Sequence, residues 1–99
     1  MKRIGLIFDS KYSIGGGHFW RCFNLAKMLE KKDRKFFFIS NYLKSNFIKL
    51  LNENNYTYVK INQIEKIYKI SSIIDKFKLN ILVTDCYDFN LSLKKKIKI

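Results

Sequence analysis

The feature that most constrains the fold is an alternation between short apolar runs and longer segments of helical periodicity. The predicted strands are residues 4–8, 35–39, 56–61 and 80–84, and the predicted helices are about residues 18–32, 43–54 and 63–77. Strands that alternate with helices in this way are typical of repeated β-α units. The sequence therefore predicts an α/β domain in which a parallel sheet is flanked by helices.

Apolar stripes predict which helix faces enter the core. The stripe residues are Cys22, Leu25, Ala26 and Leu29 in the first helix, Phe47, Leu50 and Leu51 in the second, and Ile67, Ile70, Ile74 and Phe77 in the third. The first and fourth strands are almost continuously apolar, which predicts that both are buried on both faces.

The length of 99 residues, with 47% hydrophobic content, predicts a single domain over residues 1–99. No apolar run approaches the roughly 18 to 20 residues that a membrane span requires, and the apolar run near the N-terminus is too short for a signal peptide. We therefore expect a cytoplasmic protein without a membrane span. Because the sequence stops soon after the fourth strand, it predicts a truncated N-terminal domain whose sheet has an uncovered edge.

The net charge of +12 raises the question of a polyanionic partner. The cations are mostly lysines scattered among Ile, Asn, Phe and Tyr, whereas proteins that read nucleic acid tend to cluster arginines on one face. We therefore expect no nucleic-acid partner. Cys22 and Cys86, with one histidine, are too few for a disulfide framework or a zinc site, so we expect no metal.

Three adjacent glycines, Gly15, Gly16 and Gly17, lie between the first strand and the first helix. Glycines there allow a sharp turn with positive φ and let a ligand approach backbone N–H groups at the amino end of a helix. The turn lacks the dinucleotide fingerprint, because Trp20 stands where that motif needs its last glycine, and it lacks the lysine of a P-loop.

His18, the single histidine, follows these glycines at the first helical position. The helix dipole disfavours its cationic form there, so a neutral imidazole able to accept a proton is expected. Asp9 follows the first strand, and Asp85 and Tyr87 lie at the end of the fourth. The open end of a parallel sheet is where such folds bind ligands, so the sequence predicts a site at this edge with His18 as general base.

Two segments of the sequence resemble a known family. The first runs from Asp9-Ser10 through Gly15-Gly16-Gly17-His18 to Arg21-Cys22 and Leu25-Ala26, and the second is Thr84-Asp85-Cys86-Tyr87. Together they are similar to the pseudaminic-acid pathway UDP-sugar hydrolases and the related spore coat polysaccharide biosynthesis proteins. Ile7 stands where that family often has a basic residue, and Cys86 where some members have His.

The resemblance implies a partial GT-B-like fold, in which a Rossmann-like N-terminal domain binds the sugar and a C-terminal domain binds UDP. It implies hydrolysis of UDP-2,4-diacetamido-2,4,6-trideoxy-β-L-altropyranose without a cofactor or metal. His18 would correspond to the catalytic histidine that activates water. The substrate-binding residues would be Asp9, Gly15, Gly16, Gly17, Arg21, Asp85 and Tyr87. The UDP contacts would belong to a C-terminal domain or partner chain, so residues 1–99 alone are expected to be inactive.

Two other functions remain open. A GT-B glycosyltransferase of the same architecture would use His18 to deprotonate an acceptor hydroxyl in place of water. Such transferases usually carry a proline soon after the histidine, and this sequence has no proline, which favours the hydrolase. The alternative from a different class is a non-catalytic remnant or a small basic binding module.

Overall fold

The structure, a computed structural model, describes residues 1–8, 17–61 and 67–85, without the side chains of residues 17, 18, 67–70, 84 and 85. Its elements are β1 (Lys2–Phe8), α1 (Gly17–Leu29), β2 (Arg34–Ser40), α2 (Ser45–Glu53), β3 (Thr57–Lys60), α3 (Ile67–Phe77) and β4 (Ile81–Asp85). The predicted α/β class and parallel sheet are confirmed, with element ends shifted by a few residues. Residues 63–66 of the third predicted helix lie outside the described part.

The four strands form one parallel sheet in the order β3-β2-β1-β4. The chain moves outward from β1 to β2 to β3 and then returns past β1 to place β4 on its other side. This is the order of a Rossmann-like sheet, whose direction of winding reverses between the first and fourth strands. In such sheets a crevice opens at the carboxyl ends of the two strands that flank the reversal.

Helices cover both faces of the sheet. Ile4, Leu6 and Phe8 of β1 belong to the core beneath α1 and α2, whereas Ile7 belongs to the core beneath α3. This alternation is the period of two that a strand imposes on its side chains. Buried side chains on both faces explain why β1 and β2 are apolar almost throughout, with five consecutive buried residues each.

Gly5 of β1 allows close packing on the α3 face. A Cβ built at Gly5 would come within 2.7 Å of Leu79 Cδ1, 3.1 Å of Leu82 Cδ1 and 3.3 Å of Ile39 Cδ1. Glycine inside a strand weakens the strand itself, and here it makes room for side chains that cover the sheet.

The predicted helix stripes are confirmed where the structure describes them, with additions. Cys22 and Ala26 of α1 and Leu51 of α2 are buried, and Leu25, Leu29 and Leu50 pack against the same core. The prediction omitted Phe19 and Phe23 of α1 and Ile73 of α3, which are all buried. Phe23 and Ile73 are each adjacent to a chosen residue, so these helix faces are wider than a single stripe, and Phe19, three positions before Cys22, extends the first stripe by one turn toward the amino end.

The prediction that the fourth strand is buried on both faces is wrong for its start. Strand β4 is the outer strand of the described sheet, and Ile81 is 39% exposed. Leu82 and Val83 are only partly buried. The central positions belong to β1 and β2, because the reversal of winding places β4 at the outer side of β1. An apolar run therefore indicated a strand without indicating its place in the sheet.

Candidate functional site

The carboxyl edge of the sheet is formed by the last residues of the four strands. Phe8 of β1 is the register partner of both Ser40 of β2 and Asp85 of β4, and Ser40 is the partner of Lys60 of β3. Lys60, Ser40, Phe8 and Asp85 therefore form one row across the sheet. The winding reverses between Phe8 and Asp85, so the crevice expected of this fold opens beside these two residues.

The amino end of α1 lies at the same edge, because the chain leaves β1 at Phe8 and enters α1 at Gly17. His18 is thus the second residue of α1 rather than the first. The first turn of a helix presents unpaired N–H groups and the positive end of the helix dipole. Arg21 lies three positions after His18, so the two positions share one side of the helix, and the Arg21 side chain is exposed.

Phe19 fixes the amino end of α1 on the sheet. Its ring contacts Phe8 of β1, Phe38 of β2 and Phe47 of α2, with centroid separations of 6.4, 6.1 and 4.2 Å. It is the residue next to His18, and it is 1% exposed. A backbone held by a buried ring on three neighbouring elements is a rigid support for a functional side chain.

The predicted site residues are described to different extents. Gly17 and His18 lie in the first turn of α1 and Asp85 at the end of β4, with their side chains outside the description. Asp9, Gly15, Gly16 and Tyr87 lie outside the described residues, although Asp9 directly follows Phe8. Of these residues, the described backbone therefore places Gly17, His18 and Asp85 at one edge of the sheet.

Sequence reasoning missed a second feature of this edge, the corner between β2 and α2. Ser40 is fully buried; its hydroxyl donates to the carbonyl oxygen of Tyr42 at 3.0 Å, and the Tyr42 N–H approaches Ser40 Oγ at 3.4 Å. The Ile61 N–H donates to the Ser40 carbonyl at 2.9 Å. The signal was a serine after the run Phe36 to Ile39, since serine hydroxyls commonly close turns at strand ends.

Charge is distributed unevenly between the two edges of the sheet. No acidic residue lies in the first turn of any of the three described helices, and Lys44 and Lys60 lie at the carboxyl edge. Apart from Asp85, the carboxylates of the described residues lie at the opposite edge: Glu30, Asp33, Glu53 and Asp75. Many described cations also lie at the amino edge, so the amino ends of the helices, and not the net charge, are what would attract a polar ligand to the carboxyl edge; these cations include Lys2, Arg3, Lys31 and Arg34.

Two side chains at the amino edge, away from the candidate site, have pKa values shifted from their ordinary values. Burial, followed by the nearby negative charge of Glu30, raises the pKa of Tyr56 to about 12. A hydrogen bond from Lys27 lowers the pKa of Glu30, with Lys27 Nζ 2.9 Å from the carboxylate. Lys27 also donates to Asn54 at 3.1 Å, which joins α1 to the end of α2. This cluster has a structural role, because it ties together two helix ends.

The described residues form neither a cluster of metal-ligating side chains nor a membrane-spanning helix. Within residues 1–8, 17–61 and 67–85, no three His, Cys, Asp or Glu side chains come together as a metal site would require. The longest of the described helices, α1, has 13 residues, and none is long and apolar enough to cross a membrane.

No protein-family model, curated protein or solved structure matches the chain.

Proposed function

We propose that this chain is the N-terminal, sugar-binding domain of a cytoplasmic GT-B-like enzyme that hydrolyses a UDP-sugar. The observation that carries the proposal is the register pair of Phe8 and Asp85 at the reversal of winding. Asp9 follows Phe8 in the sequence and Tyr87 is two residues after Asp85, so the proposal has both side chains act at the edge where α1 begins. A ligand in this crevice would meet carboxylates, a phenol and the amino end of a helix, which are groups that bind sugar hydroxyls.

In the proposed reaction, His18 accepts a proton from water while the water oxygen attacks the anomeric carbon of the sugar. The bond between that carbon and the diphosphate oxygen breaks, and UDP leaves with the bonding electron pair. The products are the free sugar and UDP. His18 suits this step because the positive end of a helix dipole disfavours the cationic form of an imidazole, and the ring of Phe19 fixes the backbone beside it.

The remaining predicted residues bind the substrate in this proposal. Asp9, Asp85 and Tyr87 would hold sugar hydroxyls or acetamido groups, and Arg21 would meet the developing negative charge from the same side of α1 as His18. Gly15, Gly16 and Gly17 would let the substrate approach the backbone. UDP would be held by a C-terminal domain or a partner chain. The proposed substrate is UDP-2,4-diacetamido-2,4,6-trideoxy-β-L-altropyranose, and neither metal nor cofactor takes part.

The test is UDP release from this substrate by the chain together with its UDP-binding domain, compared with the variant His18→Ala. Loss of a general base is expected to lower kcat on the order of 100- to 10,000-fold. Met28→Ala is the matched control, because Met28 is 82% exposed at the opposite end of the same helix. Circular dichroism confirms that each variant is folded. Unchanged UDP release by folded His18→Ala, or no release by the unaltered protein, would overturn the proposal.

A further inference from the structure

Trp20, the single tryptophan of the sequence, is 41% exposed although it lies among buried rings. It meets Phe19, Phe23 and Phe47 edge to face, with centroid separations of 5.2, 5.9 and 5.5 Å and interplanar angles of 73°, 85° and 81°. Edge-to-face contacts are the preferred geometry between aromatic rings. The indole is therefore fixed by both α1 and α2 while a large part of it faces solvent.

The position of Trp20 in α1 places its ring at the carboxyl edge of the sheet. Trp20 is the fourth residue of α1, and Phe47 is the third residue of α2, so both belong to first turns. Helical side chains lean toward the amino end of their helix, and both amino ends lie at this edge. His18 and Trp20 are separated by about 200° around the helix, so they flank the amino end of α1 on opposite sides.

Among the described residues, the exposed large apolar side chains that are aromatic lie at the carboxyl edge. Five large apolar side chains are exposed among the described residues: Met1, Trp20, Met28, Tyr42 and Ile81. Met1, Met28 and Ile81 lie at or near the amino edge, at the start of β1, the end of α1 and the start of β4. Tyr42, which is 54% exposed, follows β2 and is held at the corner with α2 by its hydrogen bonds with Ser40. Both exposed aromatic residues are thus on the ligand edge.

A rigid, half-exposed indole is suited to one face of a sugar ring. The axial C–H groups of a pyranose are weakly positive and pack against the negative face of an aromatic ring. A tryptophan already fixed by its neighbours loses little conformational entropy when it binds, which favours such contacts. A pyranose bound at the amino end of α1, on the side that faces the start of α2, would have an apolar face toward Trp20.

We propose that Trp20 is a stacking residue for the sugar ring. The inference rests on the proposed function in taking a sugar as the ligand, and it adds a recognition element on the side of α1 opposite His18. The proposed occupant of the aromatic edge is the sugar, and binding of the uracil base there is the alternative that titration with UDP tests.

Because Trp20 is the only tryptophan, its fluorescence reports on this contact directly. The protein carrying His18→Ala, which prevents turnover, is titrated with UDP-N-acetylglucosamine, with free N-acetylglucosamine and with UDP. The acetamido sugar and the UDP-sugar are expected to change the tryptophan emission saturably, whereas UDP is not. An emission change with UDP alone equal to that with the UDP-sugar would overturn the inference, as would no change with either sugar.

Three substitutions separate stacking from simple apolar contact. Trp20→Phe keeps an aromatic face, Trp20→Leu keeps apolar volume without one, and Trp20→Ala removes both. Binding of N-acetylglucosamine, followed by saturation-transfer NMR, is expected to weaken about 3- to 10-fold in the Leu and Ala variants and less than about 3-fold in the Phe variant. Met28→Ala is again the control and is expected to bind as the unaltered protein does. Equal affinity of the folded Leu and Phe variants would contradict stacking.

This result is independent of the test of the proposed function. Binding of the sugar is measured without turnover, so it reports on Trp20 whether or not His18→Ala lowers UDP release. If His18→Ala leaves UDP release unchanged while Trp20→Leu weakens sugar binding, the hydrolysis mechanism fails and the stacking residue stands. The opposite pair of results would leave the mechanism in place and remove the stacking residue.

Discussion

The rings of Phe19 and Phe47 stack with their centroids 4.2 Å apart and their planes inclined by 11°, which joins the first turn of α1 to the first turn of α2. Phe19 also contacts Phe8 of β1, so this stack connects both helix starts to the end of the central strand. The candidate base His18 is the neighbour of Phe19 in sequence. The position of the site thus depends on an aromatic core directly beneath it.

We predict that Phe19→Ala lowers the free energy of unfolding by about 3 to 5 kcal/mol, because it removes a buried ring and leaves a cavity. Met28→Ala on the same helix is expected to change it by less than about 0.5 kcal/mol, since Met28 is exposed. Urea unfolding followed by circular dichroism measures both. A loss of less than about 1 kcal/mol in Phe19→Ala would show that the ring does not anchor α1.

The register of β1 and β4 predicts that Asp9 and Asp85 act on the same ligand. Asp9 follows Phe8, the register partner of Asp85. Substitutions at neighbouring groups that share a partner are not additive. We expect the fall in kcat/KM for UDP release in the double variant Asp9→Asn/Asp85→Asn to be smaller than the product of the two single falls. This prediction rests on the proposed function.

A second double-variant cycle serves as the control. It pairs Asp9→Asn with Asp33→Asn, because Asp33 is an exposed residue at the amino edge of the sheet. Asp33→Asn is expected to leave kcat/KM nearly unchanged and to combine additively with Asp9→Asn. Equal coupling in both pairs would show that the effect does not arise from a shared site.

Elements of this fold could be predicted from sequence because their signals are local. The run Phe36 to Ile39 and the helical spacing of Cys22 and Ala26 each record burial on a strand or helix face, and the structure confirms them. The fourth strand was predicted to be buried on both faces, which is wrong for its start, because the burial of a strand depends on which strands lie beside it. Those neighbours are set by the crossover of the chain, which the run around Ile81 does not record.

Part of the candidate site could also be predicted from the sequence, and part of it could not. Adjacency of glycines and His18 before a helix is visible in the sequence, and so is the proximity of Asp9 to the end of β1. The structural roles of Phe19, Ser40 and Tyr42 are not visible in the sequence, because they depend on contacts made in the folded protein. Roles for such residues require the tertiary structure.

The raised pKa of Tyr56 predicts a loss of stability in alkaline solution. The folded protein holds the phenol proton up to about pH 12, whereas an unfolded chain releases it near its ordinary pKa of 10. Stability from this group is therefore constant below about pH 10 and falls as the pH rises toward 12. The variant Tyr56→Phe lacks the group, so the difference in free energy of unfolding between the two proteins should shift in favour of the variant over that range.

At neutral pH, Tyr56→Phe is expected to change the free energy of unfolding by less than about 1 kcal/mol, because the buried Tyr56 hydroxyl has no partner with hydrogen-bond geometry among the described residues, although Glu30 is close enough to raise its pKa. Tyr42→Phe, which removes an exposed hydroxyl, is the matched control. Urea unfolding at several pH values measures both effects. A loss of more than about 1 kcal/mol at neutral pH would show that the hydroxyl has a partner, and an unchanged difference at alkaline pH would contradict the raised pKa.

The end of α3 predicts a substitution that stabilises the protein. Lys78 has a φ of 53°, its N–H donates to the Asp75 carbonyl at 3.4 Å, and the Leu79 N–H donates to the Ile74 carbonyl at 3.0 Å. This is the Schellman arrangement, in which the residue after the helix adopts the left-handed conformation that favours glycine. Lys78→Gly is therefore expected to raise the free energy of unfolding by about 0.5 to 1 kcal/mol, after the greater chain entropy of glycine is subtracted.

Two controls make this prediction sharp. Asn55, with a φ of 60°, ends α2 in the same way, and Asn55→Gly should stabilise less because asparagine tolerates this conformation better than lysine does. Lys76→Gly, two residues earlier and still within α3, should destabilise by about 1 kcal/mol because glycine disfavours a helix. Urea unfolding measures the change in the free energy of unfolding for each glycine variant. Changes of opposite sign at Lys76 and Lys78 would show that α3 ends between them, and changes of the same sign would contradict the left-handed conformation of Lys78.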